Sequence, residues 1–579
     1  MKYAVVTRSD GLGTRLCAMV NAIDVAQRLG LGFKFSWPSS TYSDADSHAI
    51  KHASLLFSDR FVRDHFDPDL DPRRYIKVLD TPITKKLIAK VEESKDGFLI
   101  DHWSKQVQID SAPGVPRRDL AAAFEKIEFS KRLTRVIEAA KSSVPNGAVA
   151  IHARRGDLVY GSYRTRLYNQ KYAPTALVKS VVKRLIEVGK KPIIFSDDER
   201  IKTILKRDTT AIISTELSGS TLKTSDEDAM FDIAAMIACD SVISTRSGFS
   251  VVASFANGRP FYNISDFYQM CEGRASILTD IAENPNDYSD LDKAKSLQFV
   301  ASVYTPVLRE GERDDLYAQA SILDPDNQAY PHIRATDAMA KGDLSKAEEI
   351  LRSYTRRYFK SHNMTSSDLA AGFDYISIPN KVAKDALHSS RNPYIKAYAS
   401  HLDPDPIKQE RLAGLAYEAD PSSPLLAVRW ARAMIATGRP ETARRFMIND
   451  LDRIKCSAVY EALCDIEDDP HQRVVWGRLS VQSAAENKQA AAKVALALLL
   501  NGELEEANAI SDALTAEDQS NPAVYYYLSK FYVECGVFSE ALVVIERALA
   551  MRPGRLRYQN MKQSILEIIA NQVVKDPAD

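Results

Sequence analysis

Hydrophobic positions change their spacing twice along the chain, and the expected elements follow from those changes. Residues 3–7, YAVVT, form a short β-branched apolar run, and apolar residues recur at helical spacing from Leu16 to Leu29, just before Gly30. A further run at 32–36 completes a strand–turn–helix–strand unit. The run 97–103, GFLIDHW, predicts a strand ending in Asp101, His102 and Trp103, and 117–143 predicts a helical stretch. From 149 the alternation resumes: strand 149–151, helix 174–188, strand 192–196, helix 199–206, strand 211–214, helix 226–239, strand 241–244, helix 250–256 and a last strand at GRPFYNI. Strands alternating with helices predict doubly wound parallel sheets. Two Rossmann-like lobes are expected, over 1–145 and 146–285.

From about residue 310 the strand signal ends and Gly-x-x-x-x-Ala recurs, at Gly342/Ala347, Gly438/Ala443, Gly502/Ala507 and Gly536/Ala541. Gly502 and Gly536 lie 34 residues apart, the tetratricopeptide period. In the last unit Tyr525, Leu528, Tyr532, Gly536, Ala541, Ala548 and Pro553 take that repeat's positions, and Ala416 and Pro421 fit the same frame. The frame gives helical hairpins at 328–361, 362–389, 390–423, 424–457, 458–487, 488–521 and 522–555, then a capping helix; the second and fifth are short. One hairpin cannot bury its apolar face alone, so the hairpins stack. The expected fold class is therefore α/β plus all-α: two lobes, a linker or helical connection at 286–327, and an α-solenoid over 328–579.

Composition narrows the partners. With 76 basic against 77 acidic residues there is no net field to draw the chain to nucleic acid or an anionic membrane. The six cysteines are scattered without a CxxC pair, which argues against a zinc site or a disulfide framework. The chain begins MKYAVVTRSDGLG, directly as a strand and a glycine turn, and no 18-residue apolar run follows. A cytoplasmic protein without a transmembrane segment is expected.

Three loops at strand ends carry the candidate chemistry. In the first, Asp10-Gly11-Leu12-Gly13-Thr14-Arg15, a glycine turn opens a helix and offers its amides to an anion. Tight backbone packing is the competing reading, because the third glycine of a dinucleotide fingerprint is missing. The second, His152-Ala153-Arg154-Arg155-Gly156-Asp157, places two guanidiniums where an open α/β sheet binds ligands. Arginine suits bidentate phosphate recognition. Adjacent side chains on extended backbone point apart, so one arginine is expected to reach a ligand while the other braces the loop. A purely structural Arg–Asp pair is the alternative. The third loop, Thr245–Ser250, is another Ser/Gly turn at a helix start. Either Asp198 or Ser196 is placed to cap the helix after 192–196. Asp226-Glu227-Asp228 spells DxD, a metal-binding pattern elsewhere, but at a helix start these acids are expected to serve the helix dipole.

These motifs resemble one family. HARRGD resembles the HxRRGD/HxRRTD motif of the inverting GT-B fucosyltransferases, the α1,2-, α1,6- and protein O-fucosyltransferase superfamily. GLGTRL is similar to that superfamily's N-terminal glycine turn, IFSDD to its FSDD strand end and STRSGFS to its serine loop. Asp232-Ile233 and Asp240 match its Asp-Ile…Asp spacing. The resemblance covers about the first 285 residues and excludes the repeats. It implies a GT-B-like pair of lobes, acceptor side first and nucleotide-sugar side second, transferring fucose from GDP-fucose with inversion and without a metal or other cofactor. It places His152 and Asp232 on guanine and Arg154 on the β-phosphate, with Ser247, Phe249 and Ser250 completing the pocket. Gly11, Gly13, Arg15 and Arg155 are the remaining residues expected around the donor, and Asp10 and Asp157, with Asp101 and His102, are candidates for the base. Thr14-Arg15 stands where the family has Asn-Gln, and the serine loop carries two extra residues, Arg246 and Gly248 being the plausible insertions. The acceptor is expected to be a glycan, a lipid-linked intermediate or a protein, in polysaccharide biosynthesis peripheral to a membrane glycan assembly. The repeats are expected to recruit a partner or to self-associate. Alternative readings are a different nucleotide-sugar donor, or a tetratricopeptide scaffold with a degenerate transferase domain.

Overall fold

The β-branched run at the N-terminus forms the centre of a parallel sheet. In the computed structural model, which describes residues 2–38, 52–78, 83–94, 96–102, 107–109, 119–161, 163–164, 169–218, 224–325, 327, 329–361, 391–484, 488–516, 522–551 and 556–575, strand β1 is Tyr3–Val6. It pairs in parallel with β2 (Gly32–Phe35) on one side and β4 (Gly97–Leu99) on the other, and β3 (Ile76–Lys77) lies beyond β4. A second sheet contains β5 (Ala148–Ala153), β6 (Lys191–Ser196), β7 (Ile212–Ile213), β8 (Ser241–Ser244) and β9 (Phe261–Asn263). Its order is β7-β6-β5-β8-β9, again all parallel. Counted from β5 that is third, second, first, fourth, fifth, the doubly wound order, whose ligand crevice opens at the carboxyl ends where the order reverses. Here the reversal falls between β5 and β8.

Local chemistry sets the helix ends. The helix Leu12–Leu29 stops at Gly30, whose φ of 64° lets its amide turn back to the Ala26 carbonyl. The stretch expected as one helix over 117–143 is two, Leu120–Glu125 and Lys131–Ser143, parted because the Ser130 hydroxyl caps the second by accepting from the Leu133 amide. Asp198, not Ser196, caps Glu199–Asp208 by accepting from Arg200. The expected strand-end residue Trp103 and the repeat at 362–389 lie outside the described residues.

The chain divides into two compact units, Met1–Arg164 with Tyr168–Leu316, and chiefly Tyr317–Asp579. In the first, one continuous apolar core joins Ala4, Val6, Leu16 and Val20 to Ala150, Phe195, Val242 and Val252. Within it the helix Leu12–Leu29 packs against the helix Gly248–Asn257, and two glycines meet where both helices begin. A Cβ on Gly13 would lie 2.5 Å from the Gly248 carbonyl carbon and the Phe249 nitrogen, and a Cβ on Gly248 would lie 2.7 Å from the Thr14 nitrogen. Of the two readings of the glycine turn, backbone packing is what Gly13 does. The helix Asp290–Val303, in the stretch expected as a connection, buries Asp292, Lys295, Ser296 and Gln298 in this unit.

The second unit is built of tetratricopeptide-like hairpins: Ala329–Ala340 with Leu344–Ser361, Pro393–Leu402 with Pro406–Ala419, Pro424–Ala436 with Pro440–Asn449, Ser457–Ile466 with Pro470–Ser483, Lys488–Leu500 with Leu504–Ala516, and Pro522–Glu534 with Phe538–Met551. Leu556–Lys575 closes the row. Proline opens many of these helices at the position where its missing N–H costs nothing. Gly342, Gly438, Gly502 and Gly536 turn with φ of 74° to 87°, and Ala347, Ala443, Ala507 and Ala541 are fully buried where paired helices touch.

Gly13→Ala is expected to lower the unfolding free energy by about 1–3 kcal/mol, as overpacking of a tight contact does. Gly11→Ala, with open space around it, is expected to cost less than about 1 kcal/mol. Denaturant titration of the two variants checks this.

Candidate active site

The second loop divides its two arginines as alternation on extended backbone requires. Arg155 turns inward and is 1% exposed. Its Nε donates to Asp198 Oδ2 at 2.8 Å, one terminal nitrogen pairs with Asp292 at 2.6 Å and the other donates to the Ala173 carbonyl at 2.7 Å. The Tyr172 ring lies beneath it, and the Tyr172 hydroxyl donates to Asp292 at 2.7 Å. Arg155 was expected around the donor; the structure makes it the brace of the loop.

Arg154 turns outward. Its Nε donates to Asp157 Oδ1 at 3.1 Å, and a terminal nitrogen pairs with the other oxygen of the same carboxylate. The pair is partly exposed, at 26% for Arg154 and 10% for Asp157. Burial works against the charge on Arg154, but Asp157 outweighs it and holds the guanidinium above its usual value. Both loop amides, of Arg155 and Gly156, donate to Asp197 Oδ1 at 2.7 and 2.9 Å. A Cβ on Gly156 would lie 2.7 Å from the Asp197 carbonyl, so a glycine is needed for that approach.

Beside this loop, the His152 Nδ1 lies 3.2 Å from the Ser244 hydroxyl. That hydroxyl's proton goes to the His152 or Thr245 carbonyl, so the imidazole Nδ1 is the donor in this contact. The His152 and Phe249 rings are parallel within 6°, with centroids 6.2 Å apart. Ser250 is fully buried and donates to the Thr245 and Ser247 carbonyls, so its hydroxyl serves the loop; Ser247, 2% exposed, begins the helix as its N-cap residue.

The first loop brings a second ion pair to the same edge of the unit. Arg8 holds Asp10 through both carboxylate oxygens. Burial alone would raise the Asp10 carboxyl, but hydrogen bonding to Arg8 and the Arg8 charge bring it below the usual range. Asp101 accepts from the Thr7 amide at 3.0 Å and from its hydroxyl, joining the ends of β1 and β4. Arg15, expected around the donor, is 1% exposed, lies over the Trp37 ring, and donates to the Asp10 and Pro38 carbonyls. Desolvation lowers its guanidinium to about 10.

Asp232 stands apart, on the helix Ser225–Ala238, where it hydrogen-bonds Ser214 just past β7, two strands from His152. Desolvation pushes its carboxyl up to about 7, against the Ser214 hydrogen bond and the Lys202 charge. In the DxD stretch, Asp226 and Glu227 are ion-paired to Arg132. Among the described residues no group of three or more His, Cys, Asp or Glu is placed to hold a metal ion, and no helix is long and apolar enough to cross a membrane.

Two residues at this edge lie outside every motif, Arg8 and Lys171. Arg8 is legible only as a cation two residues past a strand. Lys171 sits in an aperiodic stretch before the helix Thr175–Glu187. Its carbonyl accepts from the Thr245 hydroxyl at 2.6 Å, and the neighbouring Gln170 carbonyl accepts from the Arg246 amide at 2.9 Å. Its ammonium is in the field of Arg154, Asp10, Asp157 and Arg8.

Comparison with known proteins finds the tetratricopeptide-repeat family matched by residues 483–565. No curated protein matches the chain in sequence. Solved structures to which the chain is similar include TTC0263, a thermophilic tetratricopeptide protein of Thermus thermophilus, at 18% identity over 28% of this chain and 90% of that one, TM-score 0.23. A tetratricopeptide protein from Parabacteroides merdae matches at 12% identity over 41% and 97%, TM-score 0.29. POFUT1 in complex with GDP matches at 14% identity over 46% and 99%, TM-score 0.26.

Two stability outcomes follow from the geometry. Arg155→Ala strands Asp198 and Asp292 in the interior and is expected to cost about 3–5 kcal/mol, whereas Arg154→Ala is expected to cost less than about 1 kcal/mol; thermal denaturation distinguishes them. For Asp232, the folded carboxyl titrates at about 7 against an ordinary 3.8, so the folded state holds its proton more tightly. Wild type is therefore expected to lose stability relative to Asp232→Asn as pH rises from 3.8 to about 7, and to level off above.

Proposed function

We propose that the first unit is a GT-B-type glycosyltransferase that binds a guanine nucleotide sugar, GDP-fucose, and transfers the sugar with inversion to an acceptor hydroxyl. The observation that carries this reading is Arg154: a partly exposed guanidinium at the carboxyl end of β5, aimed by Asp157, while Arg155 is locked inside. When the sugar C1–oxygen bond breaks, negative charge gathers on the departing diphosphate. A fixed guanidinium there stabilises the transition state more than the ground state. His152 and Asp232 are assigned to the base, and the Ser247–Ser250 turn to the phosphates. The site residues address base and diphosphate; fucose as the sugar rests on the motif resemblance.

The acceptor proton needs a base on the opposite face of the sugar. Asp10 and Asp157 are each paired with an arginine, which suits orienting an acceptor hydroxyl and, for Asp10, weakens it as a base. The tetratricopeptide-like unit is assigned to protein interaction, with an acceptor, a partner or a second copy of the chain.

Calorimetric titration of the full chain in the presence of a chelator tests this. GDP and GDP-fucose are expected to bind and UDP is not, and Arg154→Ala is expected to weaken GDP at least about tenfold. No guanine-nucleotide binding, with or without added Mn²⁺ or Mg²⁺, rules the reading out.

A further inference from the structure

One position recurs through the repeats, and the charge set against it changes. Arg429, Lys493 and Tyr527 each stand nine residues before a hairpin glycine, Gly438, Gly502 and Gly536, on the first helix of a hairpin. Each reaches back to a first helix earlier in the row. Lys493 pairs with Glu461 at 3.1 Å and Asp465 at 2.8 Å, and the Tyr527 hydroxyl donates to Asp465 at 3.3 Å. Arg429 meets a neutral group instead. One of its terminal nitrogens donates at 3.3 Å to the Ser400 hydroxyl, whose own proton goes to the Gln409 carbonyl.

The guanidinium so placed is short of partners. Arg429 Nε is shut off from water and meets no hydrogen-bond acceptor among the described residues. No described carboxylate offsets its charge; the charge that bears on it is a second cation, Arg432, three residues along. Desolvation first, and then Arg432, lower the Arg429 guanidinium to about 10. Arg432 is half-buried on the same helix and makes no ion pair with a described residue. A desolvated cation without a counter-charge opposes folding, and a buried polar atom left unpaired needs a reason.

The surroundings of the pair supply one. Leu425, Arg429, Arg432 and Ala436 follow one another at helical spacing along the helix Pro424–Ala436 and stay partly or fully exposed, while Ala427, Ala431 and Met434 are buried. The stripe is therefore basic in the middle and apolar at both ends. Alternate side chains of an extended chain lie about 6.5–7 Å apart on one side, close to the about 5–6 Å between residues on successive helix turns. A nucleic acid, charged at every step, would run on to Glu461 and Asp465 of the next first helix, Ser457–Ile466. Resting on the assignment of the repeats to protein interaction, and not on the guanine-nucleotide reading, we infer that Arg429 and Arg432 hold the side-chain carboxylates of an extended acidic protein segment.

The probe is a fluorescent peptide blocked at both ends, Leu-Ala-Asp-Ala-Asp-Ala-Leu, titrated with the full-length protein and read by anisotropy at low ionic strength. It is expected to bind, with an affinity that falls as salt is added, and the asparagine-for-aspartate peptide is expected to bind at least about tenfold more weakly. The double variant Arg429→Met, Arg432→Met is expected to lose at least about the same factor for the acidic peptide and to keep its response to GDP. Methionine keeps the aliphatic stem and removes a charge that no carboxylate offsets, so the melting temperature of Arg429→Met is expected to be no lower than that of wild type. A lower melting temperature, marking a merely structural arginine, overturns the inference, and so does acidic-peptide affinity unchanged in the double variant. An oligothymidylate that displaces the peptide with equal affinity overturns it in favour of a general polyanion site. If a lysine-for-aspartate peptide binds and the acidic one does not, the inference falls and the protein-interaction reading stands. Failure of both peptides at up to about 1 mM removes the two together.

Discussion

A guanidinium excluded from water is the constraint from which the first unit is built. Moving a charge out of solvent costs several kcal/mol, and it is tolerated only where counter-charges and hydrogen bonds surround it. Arg155 meets that condition with one carboxylate from the end of β6 and another from the helix Asp290–Val303, together with the Ala173 carbonyl. Four chain segments must hold their mutual positions for the set to close. Once it closes, backbone alternation leaves Arg154 facing outward, and the segment after Gln170 is held beside it. The outward cation owes its place to the buried one.

The two motifs at β5 and β6 are parts of one device. Asp197 takes both loop amides of Arg155 and Gly156, Asp198 takes the Arg155 side chain, and Gly156 lacks the Cβ that would push Asp197 away. The same construction explains why Arg154 and Asp157 are set in advance of any ligand, since their backbone is clamped by Asp197 and by the buried pair of Arg155 and Asp198. A site arranged beforehand spends little reorganisation when charge develops against it.

Much of this was legible in sequence. Helical spacing, glycine stops and the Gly-x-x-x-x-Ala interval mark the repeats because each hairpin repeats one packing problem. The strand–helix alternation marks both sheets for a similar reason. What escaped reading has physical causes too. Ile76–Lys77 is too short to show a period of two. Asp292 is a partner more than a hundred residues from Arg155, on a helix buried on nearly every side, where polar residues hide rather than mark a surface. Alternation said that one arginine braces the loop, but only the position of Asp198 and Asp292 says which. Arg15 read as a ligand contact because a cation after a glycine turn resembles one; the Trp37 ring and two carbonyls enclose it instead.

The meeting of Gly13 and Gly248 has a consequence for how this protein can change over generations. Where side chains pack against each other, a larger residue on one side is offset by a smaller one opposite, and the pair drifts together. Here each partner is already the smallest residue there is, so neither position can make room for the other. The contact holds main chain against main chain, and relief could come only from moving a whole helix and the loop it carries. Variation in this unit is therefore expected to run around the two helix starts, leaving the distance between the loops at β1 and β8 nearly fixed while the residues displayed on them change.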